Sequence, residues 1–437
     1  MGGAGGAETI EIGDVRAVRD LMRSSDHDDR RVALSVLRSY QGRRATPEAM
    51  SAALVAAGVS FPWVPGMSAD TSELFVRLTF AAPQLVHVSE FERAYMLSAE
   101  RGRRAVLRAL ALRSDPAGLE AVLHLMGPDG PGDLLPAPSE GMLSPLLVVP
   151  GVERLATPLA SAVTRRGWSE HAVEMITAMG RLGLLDPVRT EALVAVLAPL
   201  VVELADTCDR RCSARVMGTA SRSDDSFSDP SRVDRRRLVS LLPLLAELGG
   251  SRASGALWRT LACADPRASA AAAVALCSAG EGVAPERLAL LCRDPLARSQ
   301  LFEGLLGMGR EFLLPQWALE QAEVAEAMLV GWLASAAQLR SAPDEIEHRG
   351  VLHGGPGGER GAIHVFGFRV NAPHWAHERD WMLGVVGPFD PDALFTSTPG
   401  EEFVVGSLYE SATSGDPTHE AHELMRSMRD TRDGPLR

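Results

Sequence analysis

The chain has 437 residues and a net charge of −12, with 46% hydrophobic but only 5% aromatic residues. All 44 basic residues are arginine, which excludes the enzyme classes that depend on a lysine: phosphate-loop NTPases, protein kinases, Schiff-base enzymes and pyridoxal-phosphate enzymes. The negative net charge also counts against nucleic-acid binding, because proteins that bind the phosphates of nucleic acids normally carry a basic face.

Apolar residues recur with helical periodicity over most of the chain, after a tail at 1–12. The predicted helices span 14–24, 28–40, 47–58, 70–81, 89–99, 100–113, 116–126, 150–165, 168–182, 188–206, 233–248, 251–263, 266–279, 285–293, 296–308 and 316–337. Two stretches break this rhythm. Residues 127–147 hold clustered glycines and prolines, and residues 214–231 are rich in serine and aspartate, so both are predicted to be loops.

The character of the sequence changes near residue 341. Short runs rich in Val, Phe and Trp, bounded by Gly, Pro and Asp, predict strands at 362–370, 381–389 and 403–409. Asp416-Pro417 then opens a last predicted helix. We therefore predict a helical region over 13–340 followed by a small α+β module over 341–437.

One phrase that recurs in the helical region is an apolar helical run with a proline inside it. The prolines are Pro158, Pro199 and Pro243, which are 41 and 44 residues apart. Proline inside a helix removes a backbone hydrogen bond and kinks the helix. A period in this range is typical of stacked helical hairpins.

A second recurring phrase is an aspartate turn followed by an arginine and an Ala- or Leu-rich helix. It occurs at Asp28-Asp29-Arg30-Arg31, Asp186-Pro187-Val188-Arg189, Asp265-Pro266-Arg267 and Asp294-Pro295-Leu296-Ala297-Arg298. Aspartate before proline favours a helix start, because the carboxylate accepts a first-turn N–H and proline needs no donor there.

Together, the two phrases resemble the HEAT-repeat family of armadillo-like proteins, across roughly residues 14–337. The small C-terminal α+β module lies outside this resemblance and is expected to be a cap or a recognition domain. The resemblance implies a mainly α fold, a right-handed α-solenoid of HEAT-like helical hairpins. It also implies a role as scaffold or adaptor, since members of this family mostly bind other proteins.

Two matching phrases in the C-terminal module are candidate metal ligands. His374 and His377, like His419 and His422, are three residues apart, and on a helix such a spacing places both imidazoles on one face. Surface histidines without a metal are the alternative. Trp375, His377, Arg379 and Trp381 form a candidate partner-binding surface, because paired tryptophans beside polar groups suit recognition.

Other aromatic and sulfur-containing residues are assigned to the core. Trp317 and Trp332 are predicted to pack inside the last helices of the helical region. Cys208 and Cys212 are predicted to be buried helical cysteines rather than a metal or redox pair.

The leading functional hypothesis is a non-enzymatic scaffold that binds another protein or peptide, preferably a basic one. The alternatives are a HEAT-like nucleic-acid-binding or DNA-repair protein, and a C-terminal module that binds a metal or a small ligand. No cofactor is expected. No charged-then-apolar leader and no apolar run of membrane length are seen, so we expect a cytoplasmic protein, from a GC-rich bacterial genome.

Overall fold

The computed structural model describes residues 9–62, 71–127, 130–131, 141–164, 169–216, 230–335, 343, 345–353, 361–369, 381–390 and 404–408. Contacts divide the chain into two compact units, Met1–Leu197 and Ala198–Arg437. The boundaries predicted at residues 13 and 341 stay predictions.

Ten α-helices begin within the described part of the first unit. They are α1 (Ile12–Met22), α2 (His27–Ser39), α3 (Pro47–Ala57), α4 (Thr71–Arg77), α5 (Val88–Leu97), α6 (Glu100–Leu112), α7 (Pro116–Met126), α8 (Ala156–Val163), α9 (Ser169–Arg181) and α10 (Pro187–Val216). The division between the units falls inside α10. Helices α1, α3, α5 and α7 pack on one another in sequence, and so do α2, α4 and α6, so each helix contacts the next but one.

The second unit continues with α11 (Pro230–Leu248), α12 (Ser251–Leu261), α13 (Pro266–Ser278), α14 (Pro285–Leu291), α15 (Pro295–Leu306) and α16 (Gln321–Ser335). Here α11 packs on α13, α13 on α15 and α15 on α16. Helix α13 is rich in alanine, and most of its residues are buried. Its small side chains let neighbouring helices approach closely from several sides.

The chain then forms β1 (Glu345–His353), β2 (Ala362–Arg369), β3 (Met382–Phe389) and β4 (Val404–Leu408). These strands make an antiparallel sheet in the order β1-β2-β3-β4, with a bulge in β1 between His348 and Gly350. The prediction of a mainly helical chain with a small strand-containing segment near its end is therefore confirmed. The helix predicted to open at Asp416-Pro417 lies outside the described residues, and β1 is a strand that the sequence analysis does not predict.

Helix α16 and the sheet share one hydrophobic core. Its buried members are Ala325, Leu329, Leu333, Ala362, Phe366, Phe368, Met382, Val386 and Phe389. Gly384 lies directly under the helix, since a Cβ there would be 2.5 Å from Cδ2 of Leu329. The last helix before the predicted module thus belongs to the same packed structure as the sheet.

Helix starts use one repeated chemistry. Asp115, Asp186, Asp265 and Asp294 each precede a proline, and each accepts the backbone N–H three residues on, at 2.7, 2.7, 3.1 and 2.9 Å respectively. This satisfies a first-turn donor that the helix itself leaves unpaired. The helix starts predicted at the last three of these aspartates are confirmed.

The prolines of the first phrase differ in their positions. Pro199 and Pro243 lie inside α10 and α11, as predicted. Pro158 is instead the third residue of α8, which begins at Ala156 rather than near residue 150. A 3-10 turn, Val152–Leu155, runs directly into α8, so Pro158 stands near the start of the α-helix rather than in its middle.

Candidate functional site

Most of the predicted site residues lie outside the described residues. This applies to the candidate metal ligands His374, His377, His419 and His422, and to Trp375 and Arg379 of the candidate partner-binding surface. Trp381 is described. It lies immediately before β3 and contacts two arginine side chains, and we call this group of three residues the Trp381 stack.

The Trp381 stack consists of Trp381, Arg349 and Arg369. Each guanidinium carbon lies 4.7 Å from the centroid of the Trp381 ring. The two arginines come from β1 and β2, so three neighbouring parts of the sheet meet at this indole. Each such cation–π contact at an exposed site stabilises by about 0.5–1 kcal/mol.

Two glutamates of β1 hold the arginines in place. Glu345 is paired with Arg369 in the strand register and accepts a hydrogen bond from its Nε at 3.0 Å. Glu347 lies 3.1 Å from Nη2 of Arg349. Exposed ion pairs of this kind contribute only about 0–1 kcal/mol, so they orient the guanidinium groups more than they stabilise the sheet.

A glycine makes room for the stack. A Cβ on Gly367 would lie 2.7 Å from Nε of Arg349 and 3.1 Å from Cε3 of Trp381. The β-bulge also contributes to the stack, because the residue that it inserts into β1 is Arg349 itself. The stack is therefore a half-buried aromatic and cationic surface suited to binding, and it offers no nucleophile or general base.

The opposite face of the sheet carries two neighbouring histidines, of which His364 is buried and His348 is exposed. Nδ1 of His364 lies 3.1 Å from Nε2 of His348, and the His364 ring meets that of Phe389 edge-on with centroids 5.4 Å apart. One ring nitrogen must donate and the other accept. His364, only 4% exposed, packs against Phe389 of the core beneath α16, whereas the ring of His348 reaches solvent.

A buried ion-pair network that the sequence analysis missed joins α15 to α16. Arg298, with 4% of its side chain exposed, binds Glu323 and lies 2.9 Å from Oε2 of Glu326. Burial raises the pKa of Glu326, against the opposing effect of Arg298. The Arg298 guanidinium also lies 6.0 Å from the ring centroid of Trp317.

Asp265 is the centre of a second buried polar cluster. Besides capping α13, its carboxylate accepts a 2.6 Å hydrogen bond from Nε of Arg235 on α11, and the thiol of Cys212 lies 3.9 Å away. The side chain of Asp265 is 4% exposed. One aspartate therefore joins the start of α13 to α11, the next helix but one before it, which explains the Asp-turn phrase at this position.

The five cysteines are all free thiols. Burial raises the pKa of Cys208 to about 12, and the pKa values of Cys263 and Cys292 to about 11, so these thiols stay protonated and weakly nucleophilic at neutral pH. Cys208 is buried as predicted, whereas Cys212 is half-buried.

The prediction for Trp317 is wrong. This side chain is 38% exposed, whereas Trp332 packs partly buried against the core beneath the sheet. Trp317 lies on a short 3-10 turn that interrupts the helix predicted at 316–337, and this turn directs the indole outward. No periodicity rule could have separated the two tryptophans, because the change from 3-10 to α-helical geometry falls between them.

Two features are absent from the part of the chain that the structure describes. No three His, Cys, Asp or Glu side chains there are grouped so that they could hold a metal ion. None of the helices there combines the length and the apolar character needed to cross a membrane.

Comparison with known proteins adds no relative to this picture. No protein-family model matches the chain, and neither the curated proteins nor the solved structures contain a match.

Proposed function

We propose that this protein is a non-enzymatic scaffold whose helical hairpins form a HEAT-like right-handed solenoid that binds another protein. The observation that carries the proposal is the packing of each helix on the next but one, seen in α1–α3–α5–α7 and again in α11–α13–α15. In a solenoid each repeat contacts only its neighbours, and successive helices of one layer stack side by side. Such an array presents a long, grooved surface suited to a peptide or a folded partner.

The charge distribution favours a protein partner over nucleic acid. One arginine in each of the sequence clusters 101–104, 210–211 and 235–237 is paired with a carboxylate: Arg104 with Glu100, Arg211 with Asp234 and Arg235 with Asp265. A nucleic-acid-binding face needs arginines directed at phosphates. With a net charge of −12, the protein instead attracts basic partners over long range.

The thiols fit the cytoplasmic location that belongs to this proposal. None of the five cysteines forms a disulfide, and the reducing cytoplasm maintains free thiols.

The test is affinity capture of partners from a lysate of the source organism, with the full-length chain as bait. Truncation near residue 340 is unsuitable, because it would uncover Leu329 and Leu333 of α16. The matched control is an unrelated folded protein of equal net charge. We expect one or a few proteins to be retained on the first bait alone and to be released by salt. Retention of the same proteins on both baits, or of none on either, would refute the scaffold proposal.

A further inference from the structure

The connection between α15 and α16 exposes two aromatic side chains. Phe312 is 72% exposed and lies on a 3-10 turn, Glu311–Leu313. Trp317 is 38% exposed and lies on the next 3-10 turn, Gln316–Leu319. Keeping large apolar side chains in water is unfavourable, and grouped ones mark interaction sites more often than scattered ones do.

The backbone that carries these aromatics is well anchored. Leu314 and Ala318, which alternate with them along the chain, are 5% and 0% exposed. Their amides donate to the carbonyls of Glu311 and Pro315 at 2.9 Å each. The side chain of Arg310 also binds the carbonyl of Cys277. A partner would therefore meet a preorganised surface, and little conformational entropy would be lost on binding.

The surroundings of the two aromatics are acidic. Glu311 and Glu320 flank them in sequence, and Glu323 and Glu326 hold Arg298 beneath Trp317. Together with Arg310, the segment and its support carry four glutamates against two arginines.

We propose that Glu311, Phe312, Trp317 and Glu320 form a docking site, the Phe312–Trp317 patch, for a basic peptide segment of the partner protein. This inference rests on the scaffold function proposed above. An apolar side chain of the peptide covers Phe312, and an arginine of the peptide stacks on the Trp317 indole. Tryptophan is the aromatic that arginine stacks on best, and carboxylates beside it bind the remaining guanidinium donors. An acidic segment would be repelled by the same glutamates.

A matched control exists within the same unit. Trp258 on α12 is 41% exposed, close to the value for Trp317, and its Nε1 donates to Oε2 of Glu281 at 2.6 Å. Trp258 thus combines an exposed indole with a neighbouring carboxylate but lies outside the patch. Loss of binding at Trp317 and not at Trp258 would separate the patch from general attraction between an acidic protein and a basic peptide.

The probe is a fluorescein-labelled peptide of about ten residues that alternates arginine and leucine, titrated with full-length protein and followed by fluorescence anisotropy. We expect saturable binding that weakens on the order of tenfold in Phe312→Ala and in Trp317→Ala, because interface aromatics dominate binding energy. Trp258→Ala should stay within about twofold of the parent protein. A peptide with aspartate in place of arginine should not bind. Glu311→Gln and Glu320→Gln, which leave the aromatics intact, should also weaken binding if either alanine variant fails to fold.

The docking site would be overturned if the peptide bound the parent protein, Phe312→Ala and Trp317→Ala with equal affinity. It would also be overturned if Trp258→Ala lost as much affinity for the peptide as Trp317→Ala. The scaffold function is tested separately by using the Phe312→Ala/Trp317→Ala double variant as bait in the capture experiment. A partner retained by this bait as well as by the parent would refute the patch and leave the scaffold standing. Saturable peptide binding at the patch without any captured protein would support the patch and refute the scaffold.

Discussion

Replacing Asp265 by alanine tests whether an Asp-turn does more than begin a helix. The carboxylate of Asp265 accepts two first-turn amides of α13, at 3.0 and 3.1 Å, and also binds Arg235. Asp294, in the same Asp-Pro setting, caps α15 through one amide, and the structure shows no arginine paired with it among the described residues. The two aspartates therefore differ mainly by one buried ion pair.

The expected losses follow from these contacts. Removing a helix cap costs about 1 kcal/mol, which is the whole effect expected for Asp294→Ala. Removing one partner of a buried ion pair costs about 3–5 kcal/mol. Because 22% of the Arg235 side chain is exposed, we take the lower end of that range. Asp265→Ala should then lose about 4 kcal/mol, and Asp265→Asn, which keeps the cap acceptor, about 3 kcal/mol.

The assay is guanidinium chloride unfolding, combined with hydrogen exchange of the α13 and α15 amides. The exchange measurement assigns the loss to one helix, which is necessary because two compact units need not unfold in a single step. The reasoning would be refuted if the two alanine variants lost stability within about 1 kcal/mol of each other, because the cap would then account for both.

Three further outcomes are expected. Burial raises the pKa of Glu326 above its usual 4.5, so the folded state retains a proton that the unfolded state releases, and stability should fall as the pH rises just above 4.5. Denaturation at several pH values should show that the free energy of unfolding falls less with rising pH in Glu326→Gln than in the parent and in the exposed control Glu320→Gln. Equal pH profiles of the unfolding free energy in the three proteins would contradict this. Leu329→Ala should lose about 2–5 kcal/mol in thermal and chemical unfolding, because it opens a cavity between α16 and the sheet, and an unchanged midpoint would argue against that shared core. Iodoacetamide should label half-buried Cys212 first and the four buried thiols only after unfolding, and mass spectrometry showing Cys208 labelled equally fast in the native protein would contradict the burial.

The sequence predicted the helices well, and the reason is local. A period of 3.6 residues and an aspartate-proline start act over one or two turns, so they can be recognised without knowledge of the fold. They predicted the end of α10 wrongly. The helix α10 continues ten residues beyond the predicted end at residue 206, because polar and charged residues there, such as Asp206, Asp209 and Arg210, are compatible with an exposed helix face.

The missed strand β1 has a specific physical cause. Its sequence, Glu345–His353, alternates polar and apolar residues only over Glu345–Glu347, and at Arg349 one extra residue reverses the side-chain phase. A period-2 pattern search fails at that point. The two arginines of the Trp381 stack were missed because Arg349 and Arg369 come together only through the pairing of β1 with β2.

The polar networks were beyond sequence reasoning for another reason. Arg298 lies 25 residues from Glu323 and 28 from Glu326, and Arg235 lies 30 from Asp265. Nothing in the residue types distinguishes these arginines from exposed ones elsewhere in the chain. Their roles depend on which helices are neighbours, and that is decided by the packing of the whole unit.

The bulged strand has a consequence for how this protein behaves at high concentration. An edge strand that is flat and apolar can template a strand from another molecule and so start aggregation. The outer strand β1 is kinked at Arg349 and carries Glu345, Glu347 and Arg349 on its length. A second chain that paired with it would have to follow the kink and desolvate these charges. The feature that positions an arginine against Trp381 therefore also protects this edge of the sheet from growing into an intermolecular one.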